Sequence, residues 1–418
     1  MKAGIAAWLG LVAVSRALAI DAPLILVSLD GFRWDYCELH PAESLTLREL
    51  KRDGVSARGL IPVFPSNTFP NHYSIVTGLY PARHGIVNND FFDPVAGMFF
   101  RFNQPNSVRD SRWWAGEPVW VTAEKQGRKA AAAFWVGSEA AIQGVRPSFW
   151  RTYDNALPFE RRLAELIGWM KLPATERPAF VAFYIEETNG AGHAHGPDSP
   201  QVAAAIKLVD GRLATLLHEF RQQGIEPNLI VVSDHGMTSV DRSRIVVLDD
   251  FIEHGDAQID FDGSVVGLRP RDGEFDSLRR KLERIPHARV YSAEELPAHF
   301  RLRNNPRIPP LWILPEEGVH VVTRATFERL SRRYSARGYL PGDHGYDPSL
   351  PSMQGVFIAH GPAFRHGVEI PAVENVHLYN LMCSVLGLKA APNDGDDRLV
   401  HAALRPATRF INGNTAKD

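Results

Sequence analysis

The chain is short of several features that would settle its class at once. It has two cysteines in 418 residues, Cys37 and Cys383. That is too few for a disulfide framework; an oxidising compartment would let the two pair, and two unpaired buried thiols is an equal reading. It has no excess of charge, with a formal net of -2. There is then no bulk basic field to draw in a nucleic-acid polymer or a membrane surface, and an anionic ligand has to be held by a local site. Internal repeats of 20–50 residues and low-complexity tracts are absent, which excludes solenoids and arrays. The apolar run at residues 3–14 is too short for a comfortable membrane crossing, so no stable span is expected.

What is present is ordinary for a globular protein in bulk, 44% hydrophobic and 22% charged. The N-terminus carries Lys2, the apolar run and Ala17-Leu18-Ala19. That pattern predicts a signal peptide over residues 1–19, cut after Ala19, and a secreted or periplasmic protein.

Strand signals recur down the chain. Leu24–Leu29 (L-I-L-V-S-L) is a continuous apolar run closed by Asp30-Gly31, which reads as a buried parallel strand. Similar runs at 130–136, 180–185, 229–233 and 355–359 end in Gly137-Ser138, Glu186-Glu187, Asp234-His235-Gly236 and His360-Gly361. Helical stretches at 45–53, 159–170, 201–223 and 376–386 lie between or beside them. The alternation predicts an α/β fold with a mainly parallel sheet sandwiched by helices. Residues 239–340 break the rhythm with Pro286, Pro297, Pro306, Pro309, Pro310 and Pro315. We expect an α+β insertion or cap there, with the catalytic domain formed by 20–238 and 341–418.

The stretch 65–89 (P-S-N-T-F-P-N-H-Y-S-I-V-T-G-L-Y-P-A-R-H-G-I-V-N-N) brackets Thr68 between Pro65 and Pro70. Tyr73, Ile75, Val76 and Leu79 then supply apolar helix positions, closed by Gly78. A hydroxyl at a helix N-terminus faces free backbone N–H groups and the positive end of the dipole, which suits a phosphate. Read alone, Ser66, Asn67 or Thr68 could equally be a helix cap.

Metal-type ligands tip the balance. Three short turns carry them: Asp234-His235-Gly236-Met237, the stretch Asn189-x-x-Gly-His193-x-His195-Gly-Pro, and Gly342-Asp343-His344-Gly345-Tyr346. Together with Asp30 they place carboxylates and imidazoles at several strand ends, where open α/β sheets gather ligands. Mixed nitrogen and oxygen ligation suits zinc. A cation beside Thr68 lowers the pKa of its hydroxyl, and a second one holds a non-bridging oxygen of a phosphoryl group. The chemistry so composed is in-line displacement at phosphorus through a phospho-threonine.

These segments resemble the nucleotide pyrophosphatase/phosphodiesterase family of the alkaline phosphatase superfamily. The resemblance is carried in order by S-L-D-G-F-R, the 67–89 stretch, V-R-P-S-F-W-R-T-Y-D, G-H-A-H-G-P, S-D-H-G-M, G-D-H-G-Y-D and V-H-L-Y-N-L-M-C-S-V-L-G-L. It implies an alkaline-phosphatase-like fold and two Zn²⁺ ions. One would be held by Asp30, Thr68, Asp234 and His235, the other by Asn189, His193 and His344. Thr68 matches the nucleophile, Asn89 an amide that binds a phosphoryl oxygen, and Phe69 and Tyr153 aromatics that sandwich a nucleobase. The implied activity is hydrolysis of phosphodiester or phosphoanhydride bonds of nucleotides, releasing nucleoside monophosphates. Lysophospholipid or choline phosphodiesters are alternative substrates.

One position departs from the family pattern, which has aspartate where this chain has Asn189. An amide oxygen ligates a metal without bringing charge, so the second ion is expected to bind more weakly. A weakly active ligand-binding relative is the reading that follows if it fails altogether. Glu186, Glu187 and Asp198 are the nearby acids that could restore the charge.

Overall fold

The structure, a computed structural model, describes residues 22–406. The expected signal segment and its cleavage position lie outside the described residues. An eight-stranded sheet forms the centre. In chain order its strands are β1 (Leu24–Leu29), β2 (Val55–Ala57), β3 (Ala130–Ala133), β4 (Phe149–Arg151), β5 (Phe180–Ile185), β6 (Asn228–Val232), and then, after four strands of a smaller sheet, β11 (Phe357–His360) and β12 (Val368–Ile370). Across the sheet they run β12-β2-β11-β6-β1-β5-β3-β4.

β1 pairs in parallel with both β5 and β6, and β3 continues the parallel set on β5. β1 is apolar on both faces because both are covered. Ile25, Val27 and Leu29 enter one hydrophobic core, while Leu24 and Leu26 enter the other. The helices α1 (Leu45–Asp53), α3 (Phe159–Met170) and the long α5 (Pro200–Gln222) cover the first core; α5 contributes most. Its Val202, Ile206, Val209, Leu213 and Leu216 are fully buried, each worth about 1.5–3 kcal/mol. Ser199 caps that helix, accepting from the Val202 N–H at 3.3 Å, and Pro200 opens it.

Two expectations need correction. The strand at 355–359 was grouped with the parallel set, yet β11 runs antiparallel to both β6 and β2. An apolar run reports burial on both faces and carries no information on direction, which the connection decides. The strand expected over 130–136 stops at Ala133, because Phe134 adopts φ 68° and turns the chain out of the sheet.

Within residues 239–340 lies the smaller antiparallel sheet of β7 (Ala257–Phe261), β8 (Val266–Pro270), β9 (Ala288–Ser292) and β10 (Leu311–Pro315), ordered β7-β8-β10-β9. The helix α6 (Phe275–Leu282) buries Leu278 and Leu282 against Val266, Leu268, Leu311 and Ile313 in a core of their own. The opposite face of this sheet docks on the main body, where Phe300 stacks on Phe64 at a ring separation of 3.7 Å and Trp312 lies 5.9 Å from the same ring.

The two cysteines are free and buried. They sit in different cores, Cys37 with Ile25 and Cys383 with Leu24, so the sheet separates them. Burial pushes both thiols up to about 12, which leaves them unreactive.

Candidate active site

Three neighbouring parallel strands finish at one edge of the sheet and deliver the site. β1 ends at Asp30. β6 leads through Ser233 to Asp234 and His235. β5 leads into the helix α4 (Glu187–His195), which carries Asn189 and His193. The metal-type stretch at 189–195 was read as a turn, and it is a helix. The spacing from 189 to 193 is one helical turn, so both side chains share a face. Gly31 has φ 65°, and a Cβ there would lie 3.1 Å from Asn189 Oδ1. The glycine therefore lets α4 close down on the end of β1.

Thr68 opens the helix α2 (Thr68–Thr77). The capping alternative does not describe this N-terminus. Asn67 stands at the cap position without a capping hydrogen bond, and its Nδ2 donates instead to Asn88 Oδ1 at 2.7 Å. The Ser66 hydroxyl donates to the Tyr346 carbonyl at 2.8 Å. Thr68 Oγ1 faces His235 Nε2 at 3.2 Å. Asn71 braces the turn: its Nδ2 donates to the carbonyls of Asn67 at 2.8 Å and Pro65 at 3.0 Å, and its Oδ1 accepts from the Val63 N–H at 2.7 Å.

The ligand-type residues form two adjacent clusters. Asp30, Asp234 and His235 are fully buried together, and His193, Asp343 and His344 form the second group. The clusters meet where the rings of His235 and His344 stack at 3.5 Å. Three histidines share one orientation. His235 Nδ1 lies 2.9 Å from the Gly236 carbonyl, His193 Nδ1 2.9 Å from the Gly342 carbonyl, and His344 Nδ1 2.9 Å from the Ser66 carbonyl. A carbonyl only accepts, so each Nδ1 carries the proton and each Nε2 lone pair is left for another partner.

That arrangement fits cations. His235 Nε2 is 3.1 Å from Asp234 Oδ2 and 3.5 Å from Asp30 Oδ1. A lone pair facing a carboxylate at this range needs a proton or a metal between them. Asp30 Oδ1, Asp234 Oδ2 and Asn189 Oδ1 are buried without a hydrogen-bond partner. Unpaired buried acceptors of this kind are costly unless an ion completes them. The electrostatics agree. Burial, reinforced by Asp234, raises the Asp30 carboxyl. Burial also works against the Asp234 carboxylate, but His235 and His72 outweigh it and hold it well below the usual range. For His235 burial opposes the charge, yet Asp234 and Asp30 push its pKa up to about 9. In the second group burial lowers both His193 and His344, aided for His344 by His235.

Asn89 is set up as a donor. Its Oδ1 accepts from the Phe69 N–H at 2.8 Å, which leaves Nδ2 for another acceptor. It lines a polar cavity of about 450 Å³ with Asn67, Arg101, His193, Arg329 and His344. Phe69 packs near Phe100, Phe102 and Trp114, with centroid distances of 5.9, 5.7 and 6.4 Å. Tyr153 lies 5.3 Å from Phe134 and 6.3 Å from Tyr184 and is about half exposed.

The sequence reading passed over three residues. The Tyr184 hydroxyl donates to Asp30 Oδ2. His72 Nδ1 lies 3.2 Å from Asp234 Oδ2, and its Nε2 is 2.9 Å from Ser28 Oγ. Asp343 joins the second cluster. His72 and Asp343 stood inside quoted motifs, and Tyr184 ends a strand run, so a signal was there. The acids proposed to restore charge beside Asn189 are engaged elsewhere: Glu186 with Arg162 at 3.2 Å, Glu187 with Arg212, and the exposed Asp198 with Arg33 at 3.7 Å.

Comparison with known proteins bears directly on this geometry. The profile of the Type I phosphodiesterase / nucleotide pyrophosphatase family matches residues 24–347, from β1 past His344. The chain belongs to that family. It is 36% identical over 410 residues to a venom phosphodiesterase of Macrovipera lebetinus, covering 95% of this chain and 47% of that one. It is 34% identical over 385 residues to human ectonucleotide pyrophosphatase/phosphodiesterase family member 1, covering 89% of this chain and 41% of that protein. The chain thus spans about half the length of the curated relatives it matches. Among solved structures, murine ectonucleotide pyrophosphatase/phosphodiesterase 5 superposes with a TM-score of 0.85 at 32% identity, covering 92% of this chain and all of that one. An inactive threonine-to-alanine variant of that murine protein in complex with AMP gives the same TM-score. The family's alkaline-phosphatase-like architecture is thus the fold of this chain. Among the described residues no helix is long and apolar enough to cross a membrane.

Proposed function

We propose that this protein hydrolyses phosphodiester or phosphoanhydride bonds of nucleotides, releasing nucleoside monophosphates, with two Zn²⁺ ions held by the two clusters. The observation that carries the reading is Thr68 Oγ1 facing His235 Nε2 at 3.2 Å, beside the orphaned oxygens of Asp30 and Asp234. Asp30, Thr68, Asp234 and His235 would hold one ion, and Asn189, His193 and His344 the other. When bound, the ions lower the pKa of the Thr68 hydroxyl and offset charge developing on the phosphoryl oxygens.

The chain's own residues carry the remaining roles. Thr68 Oγ1 bonds to phosphorus as the bond to the leaving oxygen breaks on the opposite side. Water then displaces Thr68 from the phospho-threonine, and the nucleoside monophosphate departs. Asn89 Nδ2 donates to a phosphoryl oxygen, oriented by the Phe69 N–H on its Oδ1. Phe69 and Tyr153 make no ring contact with each other among the described residues, and a base stacks between them. The cavity of about 450 Å³ beside His193 and His344 leaves room for a second ester group. That room supports a diester or anhydride over a monoester.

Hydrolysis of the p-nitrophenyl ester of a nucleoside monophosphate, with and without chelator, tests the reading. Release that needs zinc and Thr68 supports it, and equal release by Thr68→Ala refutes it. A p-nitrophenyl monoester and a choline phosphodiester run in parallel place the substrate class. We further assign the protein to the secreted or periplasmic compartment, on the strength of the N-terminal pattern and of its similarity to venom and ecto-enzymes.

A further inference from the structure

We infer that Asp343 is the positioning carboxylate of the His193–His344 half-site: from behind His193 it supplies the negative charge that Asn189 lacks, and His320 of the 239–340 segment holds it there. The inference rests on the proposed second ion.

Asn189 contributes a buried, partnerless Oδ1 but no charge. The acids nearest to it in sequence are tied to Arg162 and Arg212 or lie exposed at Asp198. Asp343 differs from all of them. Its Oδ1 lies 3.6 Å from His193 Nδ1 and its Oδ2 lies 3.0 Å from His320 Nε2. The His193 Nδ1–H donates to Gly342 O at 2.9 Å, so the carboxylate stands on the protonated side of that ring. The Gly342 carbonyl holds the tautomer, and the carboxylate 3.6 Å from the same nitrogen adds a negative charge that makes Nε2 a better ligand. It does so without occupying a coordination position, which leaves Asn189 Oδ1 to serve as the oxygen donor.

Two independent supports fix Asp343. Its backbone pairs with Thr238, and Gly342 pairs with Ser239, in a short antiparallel ladder. On the other side, His320 is buried on the short strand His320–Val322, with its Nδ1 3.2 Å from the Tyr339 hydroxyl. A polar chain thus runs from the buried Tyr339 and His320 through the half-buried Asp343 to the half-buried His193. This chain gives the 239–340 segment a part in the metal centre besides its cavity wall.

The test is zinc titration of the metal-depleted full-length protein, by calorimetry and by competition with a chromophoric chelator. Wild type is expected to bind two equivalents. Asp343→Asn should weaken one of them about 10–100-fold and leave the other unchanged. Asn189→Asp placed in the Asp343→Asn background should restore it, which a merely structural role for Asp343 would not allow. His320→Gln, which keeps the carboxylate but removes its charged contact at 3.0 Å, should weaken the same equivalent about 3–10-fold, roughly the loss of one ordinary polar contact. Unchanged affinity in Asp343→Asn, equal weakening of both equivalents, or no rescue by Asn189→Asp overturns the inference. Should Asp343→Asn not fold, an unchanged affinity in His320→Gln does so. Wild-type binding of fewer than two equivalents instead sinks the two-ion reading, and the inference with it.

Discussion

The two halves of the candidate metal centre are built on different electrostatic plans. The half around Asp234 places two carboxylates and an imidazole in full burial. Burial and mutual repulsion raise one acid while histidines hold the other down, so a proton is trapped there until a cation takes its place. The half around His193 has the uncharged Asn189 as the oxygen donor proposed for it, and its histidines are pushed toward the neutral form. Its nearest carboxylate, Asp343, stands behind the ring, where burial opposes ionisation but His320 and His193 hold it well below the usual range. One half carries a proton where a cation would sit; the other has neutral imidazoles and its one carboxylate set behind a ring. The lesson is that two clusters joined by a stacked pair of imidazoles hold their protons differently, according to which carboxylates and histidines are buried beside them.

Removing the proposed nucleophile should break the chemistry without breaking either half. Thr68→Ala should lower turnover of a nucleotide diester by about 10⁴-fold or more while most of the bound zinc remains. Kinetics together with metal analysis check this, and a modest loss would mean that another group attacks phosphorus. Next in size is the base pocket. Phe69→Ala or Tyr153→Ala should raise KM for a nucleotide by about 5–150-fold with a smaller change in kcat, as expected for about 1–3 kcal/mol of stacking. Equal losses with a base and with a choline substrate would assign those rings to packing.

A smaller effect sharpens the comparison itself. Asn189→Asp adds a full charge at ligand distance and should tighten the second ion about tenfold or more, leaving the first unchanged. Turnover at limiting zinc should rise with it; equal metal content and equal rates would show that the amide costs nothing. The smallest effect is a proton count. In the metal-free protein His235 titrates at about 9, so at neutral pH it is protonated and a cation must displace that proton. The apparent affinity of the first ion should therefore rise with pH until about 9 and then level off. The second ion, with His193 and His344 already lowered, should release none. Calorimetry in two buffers of different ionisation enthalpy reads the difference, and equal proton release by both ions would remove it.

Much of this was legible before the structure. Strand ends that finish in Asp30 and Asp234-His235 marked the sheet edge, because a buried strand must end where polar residues begin. The approach of Thr68 to His235 could be anticipated once a metal site was suspected. The direction of β11 could not be read, since apolar runs look alike in either direction. Nor could the replacement of a supposed turn by helix α4, whose two glycines masked its 3.6-residue period. Proximity in sequence also misled: Glu186 and Glu187 adjoin the site but turn to Arg162 and Arg212.

The division has a physical basis. The sequence by itself determined the chemical kinds present: the hydroxyl, the acids, the imidazoles and the uncharged Asn189, in an order the family shares. Those are properties of single residues and short spacings. Only the tertiary structure decided which nitrogen of each histidine faces the site, because that follows from carbonyls at Gly236, Gly342 and Ser66 reached through folding. It also decided that Tyr184 would meet Asp30 and that His320 would meet Asp343. Contacts between residues so far apart in the chain depend on strand register and on how the smaller sheet docks, and neither is written in local pattern.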